Sequence, residues 1–136
     1  MTIYCLPDFK SVVDKLSKKR SYNTIEEQII EYFFNNSIED IKSGARLNHS
    51  QTEPYIKKRL QGAGGFRMYY LVNIPQEKVY LMFVHPKTGS EGSDNITDAS
   101  KAKIYKDVLQ AIKDKNLFKV KLEDGQLTYN DFNDPD

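Results

Sequence analysis

The sequence predicts an α+β fold in which two N-terminal helices pack on a twisted, mostly antiparallel sheet, with an extra C-terminal helix and hairpin. Three observations predict it. An apolar run at residues 2–6 is followed at once by two stretches whose apolar residues recur at helical spacing. Three strand-like runs at 55–60, 66–73 and 79–85 then succeed one another across short connections, the spacing of antiparallel neighbours. A last helical stretch leads into two short runs joined by Asp124-Gly125, a favoured two-residue hairpin turn. At 136 residues the chain fits one domain over 1–136, with a core over about 1–98 and the C-terminal helix and hairpin over 98–130.

Each element has a local reason. Thr2-Ile3-Tyr4-Cys5-Leu6 reads as the first strand. Pro7-Asp8 opens a helix, because proline and an acid suit a first turn. Phe9, Val12, Val13 and Leu16 carry its apolar face, and Ser17-Lys18-Lys19-Arg20 reads as a solvated, cation-rich end that complements the helix dipole. Thr24-Ile25-Glu26-Glu27 has capping-box spacing, and Ile25, Ile29, Tyr32 and Phe33 form the stripe of a second helix. Ile38 and Ile41 suggest a final helical turn before Ser43-Gly44. Residues 45–54 read as a polar loop. Val79-Tyr80-Leu81-Met82-Phe83-Val84 is apolar on both faces, as in a central strand covered on both sides. Residues 87–98 are a loop rich in Gly, Ser and Thr. Thr97 or Asp98 caps a helix to about residue 115, with Ile104, Val108, Leu109 and Ile112 on one side. Residues 130–136 are expected to fray.

Composition limits the function. The formal net charge is +1 although 29% of residues are charged, so the whole molecule is not an electrostatic magnet for nucleic acid. An anion site must come from local clustering. Residues 123–136 hold five carboxylate side chains and no cation, which partly hides a basic middle. Cys5 is the only cysteine and lies in an apolar run, so no intrachain disulfide forms. His49 and His85 are the only histidines, and no Cys/His spacing suggests zinc; no metal and no cofactor are expected. No apolar run reaches the roughly 18 residues of a membrane span. The N-terminus lacks the features of a signal peptide, and a cytoplasmic protein is the expectation.

The clustering is found at residues 57–67. Strand side chains alternate faces. Lys57 and Arg59 therefore share one face of their run while Lys58 takes the other, and Arg67, Tyr69 and Leu71 share a face of the next. Paired as a hairpin across the glycine-rich turn at 61–65, the runs gather Lys57, Arg59 and Arg67 into one positive patch suited to phosphate. Lys57, Lys58 and Arg59 also suit an ordinary solvated strand guarding a sheet edge, and Tyr69 and Tyr70 also suit core packing. His85 ends the apolar strand; with an unperturbed pKa of about 6.5 it is a candidate general acid.

Lys57-Lys58-Arg59-Leu60, the glycine-rich turn, Gly65-Phe66-Arg67-Met68-Tyr69-Tyr70 and the apolar strand closing on Lys87 resemble the RelE/ParE superfamily of bacterial toxins. The element order matches over residues 1 to about 98, and the match is sharp over 57–72 and 79–91. The resemblance implies a RelE-like fold and a toxin of a type II toxin–antitoxin pair, neutralised by a cognate antitoxin. Its RelE/HigB-like branch implies a metal-independent mRNA endoribonuclease (an mRNA interferase) that works on the ribosome and inhibits translation. Its ParE-like branch implies a gyrase-targeting toxin that binds protein and cuts no RNA. On the first branch Lys57, Arg59, Arg67, His85 and Lys87 are the expected catalytic set, with Arg67 the phosphate clamp, Arg59 its neighbour and Lys57 a base or electrostatic partner. Lys58 and Tyr69 are the expected RNA contacts. Two features depart from the pattern: Thr88 follows Lys87 where another cation is common, and the short C-terminal segment bearing the family's catalytic Tyr or His gives way to a helix and an acidic hairpin.

Overall fold

The computed structural model describes residues 1–60, 65–87 and 96–136. The glycine-rich turn at 61–64 and the segment 88–95, with Thr88, lie outside the described residues. The chain forms an α+β structure around one mixed sheet. In chain order its strands are β1 (Thr2–Cys5), β2 (Ala45–Arg46), β3 (Tyr55–Leu60), β4 (Phe66–Asn73), β5 (Lys78–Pro86), β6 (Phe118–Glu123) and β7 (Gln126–Asp131). They lie in the order β2-β3-β4-β5-β1-β6-β7. Only β1 and β5 run parallel; every other pairing is antiparallel. The helices are α1 (Pro7–Ser17), α2 (Ile25–Ile29), α3 (Ile38–Ile41) and α4 (Asp98–Asp114).

The expected pair of N-terminal helices is broken into shorter pieces. A 3₁₀ turn at Arg20–Tyr22 follows α1, and a π-helical turn at Ile30–Phe34 continues α2. The reason lies in the buried residues Ile25, Ile29 and Phe33, spaced by four. In an α-helix residues four apart overshoot a full turn by about 40°, and the wider π turn, which four residues do not complete, rotates them back. Thr24 makes no side-chain cap, so the predicted capping box is not formed; Glu26 instead accepts the Leu127 backbone N–H of β7 at 2.7 Å. At α4 the expected cap holds, with Thr97 Oγ1 accepting the Ser100 N–H at 3.1 Å.

Residues 45–54, read as a loop, contain the short edge strand β2. Ala45 and Arg46 are exposed, so no hydrophobic pattern marks them. The strand is fixed by Gly44, whose φ is +126° and whose missing Cβ would stand 2.8 Å from Ile56 Cγ2. Only glycine suits both the backbone angle and the approach. At the other edge Asp124 and Gly125 both have positive φ, 52° and 77°, and close the β6–β7 hairpin as their order predicts. The tail expected to fray is tied down. Lys119 holds Asp136 at 3.1 Å and the Asp134 carbonyl; Lys121 holds Asp134 at 2.5 Å and the Pro135 carbonyl. Phe132 adds a ring contact to Tyr4 at 5.1 Å.

Helices cover both faces. On one side α1 packs on β5 and α2 on α1. There Phe9, Val13 and Leu16 are buried, at about 2 kcal/mol each. The ring of Tyr70 stands edge-on to Phe33 at 5.0 Å. Its hydroxyl donates to the Ile41 carbonyl at 2.6 Å and lies 3.1 Å from the Tyr32 hydroxyl. That one hydroxyl links α3 and the π-helical turn to the middle of the sheet. On the opposite side α4 is anchored through Tyr105, which stacks on Tyr55 at 5.3 Å, and through its Lys101 carbonyl, which accepts the Tyr55 O–H at 3.1 Å. No helix among the described residues is long and apolar enough to cross a membrane. Tyr70→Phe leaves the buried Ile41 carbonyl without its donor and is expected to lower stability by about 1–3 kcal/mol, read as a lower urea midpoint at unchanged slope.

Candidate functional site

The site is built by register. Across β3 and β4, Lys57 stands opposite Tyr69 and Arg59 opposite Arg67. Across β4 and β5, Tyr69 stands opposite Phe83 and Arg67 opposite His85. Residues directly opposite share a face, so Lys57, Arg59, Arg67, Tyr69, Phe83 and His85 form two adjacent rows on the face that carries Tyr55 and α4. The patch expected from alternation in β3 and β4 is therefore present, and the sheet brings His85 into it from a third strand.

A bulge sharpens the arrangement. The β4–β5 register shifts between Tyr69 and Tyr70, so Tyr69 pairs with Phe83 while Tyr70 pairs with Leu81. A regular strand would place Leu81 on the same face as Phe83 and His85. The extra residue turns Leu81 toward the α1 side and leaves the aromatic pair beside the cations, a usual task of a β-bulge.

His85 is 5% exposed. Its Nδ1 lies 3.0 Å from the Pro86 carbonyl. A carbonyl only accepts, so Nδ1 carries the proton and, in the neutral ring, Nε2 is the free acceptor. Burial pushes the His85 pKa below its usual value, the Pro86 hydrogen bond opposes this, and the charges of Arg67 and then Lys57 push it down further. A neutral ring at pH 7 suits a proton acceptor better than the general acid expected from the unperturbed pKa. Tyr69 lies beside it with ring centroids 5.9 Å apart and planes within 20°. Among the described residues, Tyr69 Oη and His85 Nε2 are the two buried side-chain polar atoms that have no hydrogen-bond partner. Burial raises the Tyr69 pKa against the opposing charge of Arg67, so the phenol keeps its proton.

Lys57 is half-buried and its pKa is lowered, by burial first and then by the charges of Arg67, Lys101 and Arg59. Lys101, on the first turn of α4, was not singled out by sequence reasoning. Its signal was present only as one lysine among many on a polar helix; the anchoring of α4 on Tyr55 brings it near Lys57. Arg59 is exposed and the outermost of the row, since β3 lies farther from the sheet centre than β4 and β5. Lys87 follows β5 directly, and its N–H donates to the Gly65 carbonyl at 3.1 Å, which holds it at the same end of the sheet.

Neither expected RNA contact lies on the exposed part of the cation face, Lys58 because alternation turns it away and Tyr69 because it is buried. Lys58 lies on the opposite face, its Nζ 5.5 Å from the centroid of the Tyr32 ring. Tyr69 is 0% exposed and packs against Phe83 and His85, so it offers no open ring face for a base. Cys5 is buried and its thiol is pushed up to about 12, as burial in an apolar setting requires, so it is no nucleophile.

A buried histidine that must become charged links stability to pH. Its folded pKa lies below the unfolded value of about 6.5, so the unfolded state binds the extra proton first. Stability is full above pH 6.5 and falls as the pH drops from there toward the folded value. Urea midpoints measured from pH 7.5 to 5 are expected to show this fall, and His85→Gln to flatten it. No family model, curated protein or solved structure matches this chain.

Proposed function

We propose that this chain is the toxin of a bacterial toxin–antitoxin pair, of RelE/ParE type, acting as a metal-independent endoribonuclease on ribosome-bound mRNA. The observation that carries this reading is the pair of buried, unpartnered atoms, His85 Nε2 and Tyr69 Oη, beside Lys57 and Arg67. Leaving such atoms unpaired costs about 1–3 kcal/mol each, and a catalytic role is one of the reasons a fold retains them. The cation pattern of Lys57, Arg59 and Arg67 supplies the attraction for a phosphodiester.

The roles follow from protonation. His85 Nε2 takes the proton of the ribose 2′-hydroxyl. The 2′-oxygen then bonds to phosphorus, and Arg67, with Arg59 outside it, offsets the charge that builds on the non-bridging oxygens. Tyr69, stacked on His85 with planes within 20°, holds the imidazole ring for that transfer. The bond from phosphorus to the 5′-oxygen breaks, and the Lys57 ammonium, made more acidic by burial and by its cationic neighbours, gives that oxygen a proton. The products are a 2′,3′-cyclic phosphate and a 5′-hydroxyl. Lys87 stands at the mouth of this site as a further phosphate contact, and a cognate antitoxin would silence it by occupying the same cationic face.

The gyrase-directed, non-catalytic reading rests on a different observation: the two unpartnered atoms are closed to solvent, which suits a packing role under a protein-binding surface.

The two readings separate in one assay set. Purified protein added to a translating extract is expected to cut mRNA, Arg67→Ala to lower the rate by about 10²–10³-fold, and His85→Gln to remove the acidic limb of the pH–rate profile. Uncut mRNA together with blocked gyrase supercoiling would reverse the choice.

A further inference from the structure

The burial of Tyr69 leaves the proposed site with no open ring among the residues expected to bind RNA. Phe83 supplies one. It is only partly buried, and its ring centroid lies 5.7 Å from that of His85 and 6.2 Å from that of Tyr69. Phe83 also lines a cleft of about 470 Å³ between α1 and α4, whose other apolar walls include Met82, Val12 and Ile104. Polar groups stand among them: Asp8 on α1, and on α4 Ser100, Lys103 and Asp107, the last two paired at 2.7 Å.

We infer that this cleft is a nucleobase pocket, which takes the base of the nucleotide whose phosphate sits at Arg67 and His85. The inference rests on the phosphodiester reading of that site and adds a specificity element to it. Three features carry it. The volume falls in the range of small-molecule clefts, roughly 300–1,000 Å³. Phe83 and His85 are two residues apart on one strand face, a rise of roughly 6.6 Å, so a base on Phe83 and its own phosphate at His85 are joined through one sugar. The polar groups are selective: aspartates accept hydrogen bonds from exocyclic amines, as they do from cytosine N4. Adenine, cytosine and guanine carry such an amine and uracil does not. The pocket therefore favours amino-bearing bases stacked on Phe83 with their amine toward Asp8 or Asp107. An apolar side chain of a protein partner is the competing occupant; the hydrogen-bonding groups on the wall, Asp8, Ser100, Lys103 and Asp107, favour the base.

The experiment is a titration of ¹³C-methyl Met/Ile-labelled protein, also ¹⁵N-labelled, with AMP, CMP, GMP, UMP and inorganic phosphate. The expected result is that AMP, CMP and GMP shift the Met82 and Ile104 methyl signals together with the Arg67 and His85 signals, while phosphate shifts only the latter. Phe83→Ala is expected to weaken these nucleotides on the order of ten-fold more than phosphate. Asp107→Asn, which keeps the side chain's size and removes its charge, is expected to narrow the preference over UMP. Nucleotides that move Arg67 and His85 but leave Met82 and Ile104 unmoved overturn the pocket, leave the phosphate site intact and return the cleft to a protein side chain. Silence at all four residues with every ligand overturns the phosphodiester reading as well.

Discussion

Everything on the functional face depends on the backbone pairing of β4 with its two neighbours. Hydrogen bonds along β3 and β5 fix Arg67 between Arg59 and His85, and Tyr69 between Lys57 and Phe83. Side chains alternate with a period of two, so a slip of one residue would send the whole row to the α1 side. Burial prevents the slip. Phe66, Met68, Tyr70 and Val72 are all 0% exposed on the other face of the same strand, and turning them out would forfeit about 1.5–3 kcal/mol each. The cations are thus held in place by the apolar residues between them.

The electrostatics of the face run against its own stability. Lys57, Arg59 and Arg67 are like charges on neighbouring strands, and His85 is kept neutral among them by burial. The C-terminal carboxylates bind Lys119 and Lys121 on β6, across β1 from the site. A formal net charge of +1 is therefore compatible with a row of cations gathered on one face.

Helix α4 links the row of cations to the cleft beside it. Its first turns sit on Tyr55 and bring Lys101 toward Lys57, while Ile104 and Asp107 on the following turns line the space next to Phe83. One rigid element therefore sets both the charge around Lys57 and the shape of the neighbouring pocket. The segment that looked like an appendage to the core forms a wall of its candidate site.

Residues close in sequence decided what could be read without coordinates. Alternation placed Lys57 and Arg59 on one face and Arg67 and Tyr69 on one face, because strand geometry is local. The Asp124-Gly125 hairpin and the Thr97 cap were legible for the same reason: each depends on the φ angle or hydroxyl of residues within a few positions. The arrival of His85 beside Arg67, the bulge at Tyr69, the burial of Tyr69 and the approach of Lys101 were not legible. Nor were the edge strand at Ala45–Arg46 and the docking of the tail on Lys119 and Lys121. Each of these depends on which strand becomes a neighbour and on what then covers it, contacts between residues distant along the chain that no local pattern encodes.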